Sequence, residues 1–190
     1  PNIIVSSEET NFLPIEFFDR TAYAKYWHQT FQGTFMCGIA GVMYRGSENF
    51  GTGEALIRML DGCQHRGPDS TGFALYSPEP SGQLKLRFFI DPVVTVDVDG
   101  AIASIRARLL DLGATIEEEA KAGDNYRVMI RYTGDVQKLS YEMEHAAKVI
   151  SIGTSLEIVK DVGTAHDVDD RYQVNQFSGT HGLGHVRLAT

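Results

Sequence analysis

Cys37-Gly38-Ile39-Ala40-Gly41-Val42 is the stretch on which the reading of this chain turns. A cysteine directly behind Met36 leads into an apolar run with two glycines, and the run reads as a strand. Without Met36 and the residues before it, Cys37 would carry a thiol and a free α-amine on one residue. An α-amine with a pKa of roughly 7.7–8.0 suits proton transfer near neutral pH, and N-terminal threonines are activated in the same way. Gly38 leaves room for a substrate carbonyl to approach the backbone. A cysteine in an apolar segment is more commonly a buried structural thiol, so this run does not decide the chemistry by itself.

Two later segments change the weighing. His65-Arg66-Gly67-Pro68-Asp69-Ser70-Thr71-Gly72 follows a helical pattern, and Gly184-His185-Val186-Arg187-Leu188-Ala189-Thr190 closes the sequence. In order and character, the three segments together resemble the N-terminal-nucleophile glutaminase domain of class II glutamine amidotransferases. The resemblance covers about Met36 to Tyr76 and Gly182 to Thr190. It implies an α/β (α+β) fold, a four-layer αββα sandwich that would be incomplete at the C-terminus.

The same resemblance assigns roles. Cys37 would be the nucleophile with Gly38 beside it. Arg187 would hold the α-carboxylate of glutamine through two parallel hydrogen bonds, a grip for which a guanidinium is suited, and Thr190 would add a hydroxyl contact. Arg66 would help arrange the site, with His65 and Asp69 as structural members of the turn. Val186 and Leu188 depart from the family's threonine and tryptophan. The family's oxyanion donors come from an asparagine-glycine segment further along. No Asn-Gly dipeptide occurs here, so those residues and the aspartate for the substrate ammonium are expected beyond Thr190. The implied activity is glutamine hydrolysis through a cysteinyl thioester, with ammonia passed to a synthase domain or subunit in an oligomer or hetero-complex. A stand-alone subunit of a glutamate-synthase-like assembly is one such form. A non-catalytic binding or regulatory protein on the same scaffold, with Cys37 blocked, is the rival.

Composition narrows the field independently. With 190 residues, 43% hydrophobic and 22% charged, the chain can bury an ordinary core. A formal charge of −8 argues against nucleic acid or an anionic membrane as partner. No apolar run has the length of a membrane-spanning helix and no signal-peptide pattern occurs, which points to a cytoplasmic address. Cys37 and Cys63 sit in different settings and read as one reactive and one packed thiol. Neither a cofactor motif nor metal-ligand spacing is present, so no cofactor and no metal are expected.

Along the chain, Pro1 to Met36 has no clean period and reads either as a propeptide or as non-native upstream sequence. Residues 37–190 read as the amidotransferase type-2 domain, in part. Thr52 is placed as a helix cap, with Ala55, Leu56, Met59, Leu60 and Cys63 forming the apolar stripe. Strands are expected at Thr71 to Tyr76 and Gln83 to Ile90, with Val93 to Val96 as a candidate continuation of the second. The turn between them is Ser77 to Gly82. An insertion of about residues 93–165 then shows a helix from Ala101 to Leu112, a strand from Tyr126 to Tyr132, a helix near Val136 to Ile150 and a short strand near Leu156 to Val159. That order resembles a small split βαβ module, whose role is ligand sensing, partner docking or simply an extra layer. His166, Asp167, Asp169 and Asp170 read as a solvated loop.

Overall fold

Burial alternates along β3 (Gly38–Tyr44): Gly38, Ala40 and Val42 are buried, while Ile39 and Met43 are exposed. The alternation is that of a strand with one face packed on a core. The computed structural model describes residues 16–19, 22–26, 37–45, 51–78 and 82–188. Most of the first 36 residues, the centre of the 77–82 turn, Ala189 and Thr190 lie outside them.

Around β3 a six-stranded antiparallel sheet assembles from β1 (Glu16–Asp19), β2 (Ala22–Tyr26), β4 (Ser70–Tyr76), β9 (Leu156–Val162) and β10 (His181–Arg187). Its order is β1-β2-β3-β10-β4-β9. Two helices cover one face, α1 (Thr52–Asp61) and α4 (Ala165–Tyr172). Leu56, Ile57, Met59 and Leu60 of α1 meet Ala40, Val42, Phe73, Leu75, Val159 and Val186 of the sheet. Thr52 does not cap α1 as expected. Gly51 is at the cap without a side-chain bond, and Thr52 is buried one residue further on, where its hydroxyl donates to the Gly179 carbonyl at 2.8 Å. The expected loop around His166 is a helix too. Thr164 and Asp167 form a capping box, and Ala165, Val168 and Tyr172 supply the buried stripe.

The chain leaves this sheet after β4 and returns to it at β9. Between them lie β5 (Gln83–Phe89), α2 (Val98–Asp111), β6 (Thr115–Ala122), β7 (Asn125–Arg131), α3 (Val136–Glu144) and β8 (Lys148–Gly153). The sheet order β6-β7-β5-β8, antiparallel throughout, gives a β-α-β-β-α-β unit of the split βαβ kind. Leu84, Leu86, Phe88, Val128 and Ile130 pack under Ile105, Leu109, Leu139 and Met143 of its helices. Each sheet thus carries its helices on one face, and the fold is α+β.

Several expected boundaries shift. Val93, Val94 and Val96 are exposed in a turn rather than a strand, with the Asp91 carboxylate accepting from the Val93 amide. The second helix ends at Glu144, and Lys148 onward pairs with β5. The strand at Leu156 runs to Val162 and pairs with β4 in the other sheet. β6 was not expected.

The sheets meet where β8 turns into β9. Glu157, buried on β9, receives Arg127 Nε at 2.8 Å and Nη2 at 3.1 Å, Arg87 Nη2 at 3.2 Å, and Lys85 Nζ at 3.8 Å. Burial alone would raise the Glu157 pKa, but the Arg127 hydrogen bonds and the surrounding cations hold it below its ordinary value. Burial lowers the Lys85 pKa against the pull of Glu157. Tyr172 of α4 adds a second tie, donating to Asp161 at 2.8 Å and accepting from Asn125 Nδ2 of β7 at 3.0 Å.

Candidate functional site

The three motifs meet at one end of the six-stranded sheet. β3 and β10 are antiparallel, with Gly38 opposite Val186, so Cys37 precedes and Arg187 follows a paired couple at the same end. Cys37 is exposed. The His65 to Ser70 turn closes on that end from the other side. The Asp69 amide donates to the Arg187 carbonyl at 3.1 Å, and Pro68 bridges to Arg187. Ser70 then pairs with Arg187 directly.

Gly67 is what lets this turn dock. A Cβ there would lie 2.5 Å from the Arg187 backbone nitrogen, so a side chain would push the turn off β10. The turn is pinned on its far side by Gln64, which sequence reasoning missed. Its amide donates to the Gly67 carbonyl at 2.8 Å, while its side-chain oxygen accepts from the Ala165 amide at 2.9 Å. Thr71 Oγ1 donates to the Gly163 carbonyl at 2.9 Å, and the Gly163 amide donates to the Asp69 carbonyl at 2.8 Å. One glutamine and one threonine thus lock the motif to the start of α4. A glutamine in a turn gives no pattern that separates it from any solvated residue, so no sequence signal marked it.

Gly38 has a similar packing reason. A Cβ on it would sit 2.9 Å from both Cβ and Sγ of Cys63. The second cysteine therefore lies against the residue that follows the first. Cys63 is buried, and burial pushes its thiol up, with the nearby Arg66 cation offsetting part of the rise. It behaves as a packed thiol, as expected.

A cleft of about 550 Å³ opens next to this end, on the face of the sheet opposite α1 and α4. The strand register sets its floor. Arg187 lies beside Ser70, which lies beside Val162; in the adjacent row His185 lies beside Gly72, which lies beside Lys160. Phe89, Lys148 and Val149 of the four-stranded unit form its wall. The Lys148 ammonium stands 4.7 Å from the centre of the Phe89 ring.

Of the residues named from sequence, Cys37, Gly38, Arg187 and the segment with His65, Arg66 and Asp69 therefore come to one end of neighbouring strands. Thr190 lies outside the described residues. His65 and Asp69 are exposed, and Arg66 is half-buried. Lys148 and Lys160 belong to the cleft without having been singled out, because only the pairing of β4 with β9 and of β5 with β8 reveals that they share it. Among the described residues no cluster of His, Cys, Asp and Glu could hold a metal ion, and no helix is long and apolar enough to cross a membrane.

No family model matches the chain. Two curated proteins do resemble it. One is the "Putative glutamine amidotransferase" of Methanothermobacter thermautotrophicus (strain Delta H), 30% identical over 164 residues, covering 82% of this chain and 52% of that protein. The other is the "Glutamine amidotransferase-like protein GlxB" of Rhizobium meliloti (strain 1021), 30% identical over 167 residues, covering 82% of this chain and 50% of that protein. The chain spans about half the length of these relatives. Two proteins that carry the amidotransferase name, each matched over four-fifths of the chain, support a glutamine amidotransferase family for it.

Proposed function

We propose that this chain is the glutaminase part of a class II glutamine amidotransferase, with Cys37 as its N-terminal nucleophile. The observation that carries the reading is the meeting of three segments distant in sequence, at Cys37, at His65 to Ser70 and at Arg187, on one end of adjacent strands. The names of the two relatives point the same way. Residues 1–36 would be a propeptide or upstream sequence absent from the working enzyme, so that β1 and β2 leave with them and β3-β10-β4-β9 remain. The insertion, expected at about residues 93–165, would be the unit from β5 to β8, which begins earlier, at Gln83. The helix-free face of the six-stranded sheet, with Ile39, Met43, Val162 and Leu183 exposed, would be covered by the second sheet of an αββα sandwich.

In the reaction, Arg187 and Thr190 hold the α-carboxylate of glutamine and set its side chain toward Cys37. The Cys37 α-amine takes the thiol proton, and the thiolate attacks the side-chain amide carbon. The tetrahedral intermediate collapses, and the amine returns the proton to the leaving nitrogen, which departs as ammonia. Water then attacks the γ-glutamyl thioester, releasing glutamate and restoring the thiol. Ammonia passes to a synthase domain or subunit, and glutamine is the substrate. Neither nucleic acid nor a membrane takes part, and the enzyme works in the cytoplasm within an oligomer or hetero-complex. The chemistry itself calls for no cofactor.

The test is ammonia release from glutamine by the full-length protein whose mature N-terminus has been read by mass. With Cys37 first, release is expected, and Cys37→Ala abolishes it while the far-ultraviolet circular dichroism stays unchanged. No release from protein that does begin at Cys37 would overturn the enzyme reading and leave a binding protein on this scaffold.

A further inference from the structure

The cleft beside Arg187 carries more positive charge than the glutaminase reading uses. Lys160 and Lys148 both line it, one from each sheet, and His185 lies in the same strand row as Lys160. Neither lysine has an ion-pair partner among the described residues; Lys148 has only the Phe89 ring beneath it. The one carboxylate on the lining, Asp161, is already engaged by Arg171 at 2.6 Å and by the Tyr172 hydroxyl at 2.8 Å, both from the helix side. Gly72, between Lys160 and His185, contributes no side chain to the floor. Two ammonium groups line one concave surface on which no described carboxylate is left to neutralise them, and an anion placed between them would be attracted by both. The contrast with Glu157 is instructive. There three cations from the same sheet pair surround a built-in carboxylate, whereas here the carboxylate is missing.

We propose that the cleft has an anion subsite formed by Lys148 and Lys160 over Gly72, taking a small ligand with a carboxylate or phosphate group. The ligand spans β8 and β9 and so touches both sheets at once. This gives the β-α-β-β-α-β unit a direct contact with whatever occupies the site next to Cys37. The subsite lies one strand row from Arg187 in the same cleft and stands whether or not Arg187 holds glutamine.

The experiment is calorimetric titration of the full-length protein, at low ionic strength and without glutamine, with inorganic phosphate and separately with succinate. At least one of the two is expected to bind. Lys148→Met and Lys160→Met, both at exposed positions, should each weaken that binding about tenfold or more, the usual worth of one charge-assisted contact. Lys138→Met, on the exposed face of α3, should leave it unchanged. Binding of phosphate alone assigns a phosphate-bearing ligand, and of succinate alone a carboxylate. The proposal is overturned if neither probe binds, if both cleft variants bind like the parent, or if Lys138→Met weakens binding as much as they do. Ammonia release measured on the same preparations, with Cys37 confirmed by mass as the first residue, keeps the two readings apart: its absence alongside intact probe binding removes the glutaminase and leaves the subsite standing.

Discussion

The two sheets of this protein bury themselves differently. The four-stranded unit is closed on its own terms. Its helices cover one face with Leu, Ile, Phe, Val and Met, and its other face is fastened to β9 by charged side chains around Glu157. Among the described residues, helices cover only one face of the six-stranded sheet. Its helix-free side shows Ile39 and Met43, each 62% exposed, together with the cleft and the convergent motif ends. The difference separates a unit organised around its own core from a sheet that, among the described residues, leaves apolar side chains of one face exposed.

The sharpest way to break that contrast is inside the closed unit. Phe88 is fully buried among Leu86, Val128 and the two helices, and Phe88→Ala should cost about 3–5 kcal/mol through lost transfer free energy and the cavity left behind. Urea unfolding followed by tryptophan-independent circular dichroism checks it. A loss under about 1 kcal/mol would mean that the unit is loosely packed and leans on its neighbour.

The next effect tests the seam. Glu157→Gln removes the carboxylate that compensates Lys85 and Arg87 and one of the two that Arg127 meets, Glu118 being the other, and stranding buried cations costs about 3 kcal/mol or more. The pH dependence has a definite sign. Because the folded pKa of Glu157 lies below its ordinary value, its contribution is present above the ordinary carboxylate range and is lost as the pH falls through the lowered folded value. Glu157→Gln should therefore flatten the acid side of a stability-versus-pH curve. An acid limb as steep as the parent's would place the loss elsewhere.

How far the sequence reaches differs between the two regions as well. The helix at Leu56 and the strands at Thr71 and Leu84 were readable because their apolar residues recur at one clear period. β6 was not, because it is an edge strand whose Glu117, Glu118 and Glu119 pair outward with Arg131, Arg127 and Arg106 and leave no alternation to see. Lys148 to Ile150 was assigned to the preceding helix, as the end of a stripe through Leu139, Met143, Ala146 and Ala147. The ladder offered by β5 overrides that stripe. The α4 helix carried its signals openly, a Thr164-x-x-Asp167 box and Ala165, Val168 and Tyr172 at helical spacing, but four polar residues at 166, 167, 169 and 170 masked them. At the site, Cys37 and Arg187 were legible as motif residues. Lys148 and Lys160 were not, since strand register is a tertiary fact.

A smaller effect sharpens the open side of the comparison. If Arg187 grips a carboxylate with two parallel hydrogen bonds, Arg187→Lys should raise the KM for glutamine on the order of tenfold to a hundredfold, with little change in kcat, because a point charge replaces a fork. A fall in kcat at unchanged KM would instead move Arg187 from holding the substrate to arranging Cys37.

The smallest expected effect asks whether α4 serves one region or both. Thr164 caps it, its hydroxyl accepting from the Asp167 amide at 3.2 Å while the Asp167 carboxylate takes the Thr164 amide at 2.8 Å. Those Thr164 bonds hold the Asp167 pKa below its ordinary value. Thr164→Ala should cost about 1 kcal/mol, which is too little to unfold the domain but enough to let the first turn of α4 open more often. That turn receives Gln64 from the motif segment, and the last turn carries Tyr172, which reaches Asn125 in the other unit. Hydrogen exchange resolves the question. Faster exchange confined to the start of α4 and to residues 64–71 would show the helix bracing the site alone. Faster exchange that also reaches Asn125 and the end of β7 would show that the helix transmits strain between the closed unit and the open sheet, and the division drawn between them would then be one of burial but not of stability.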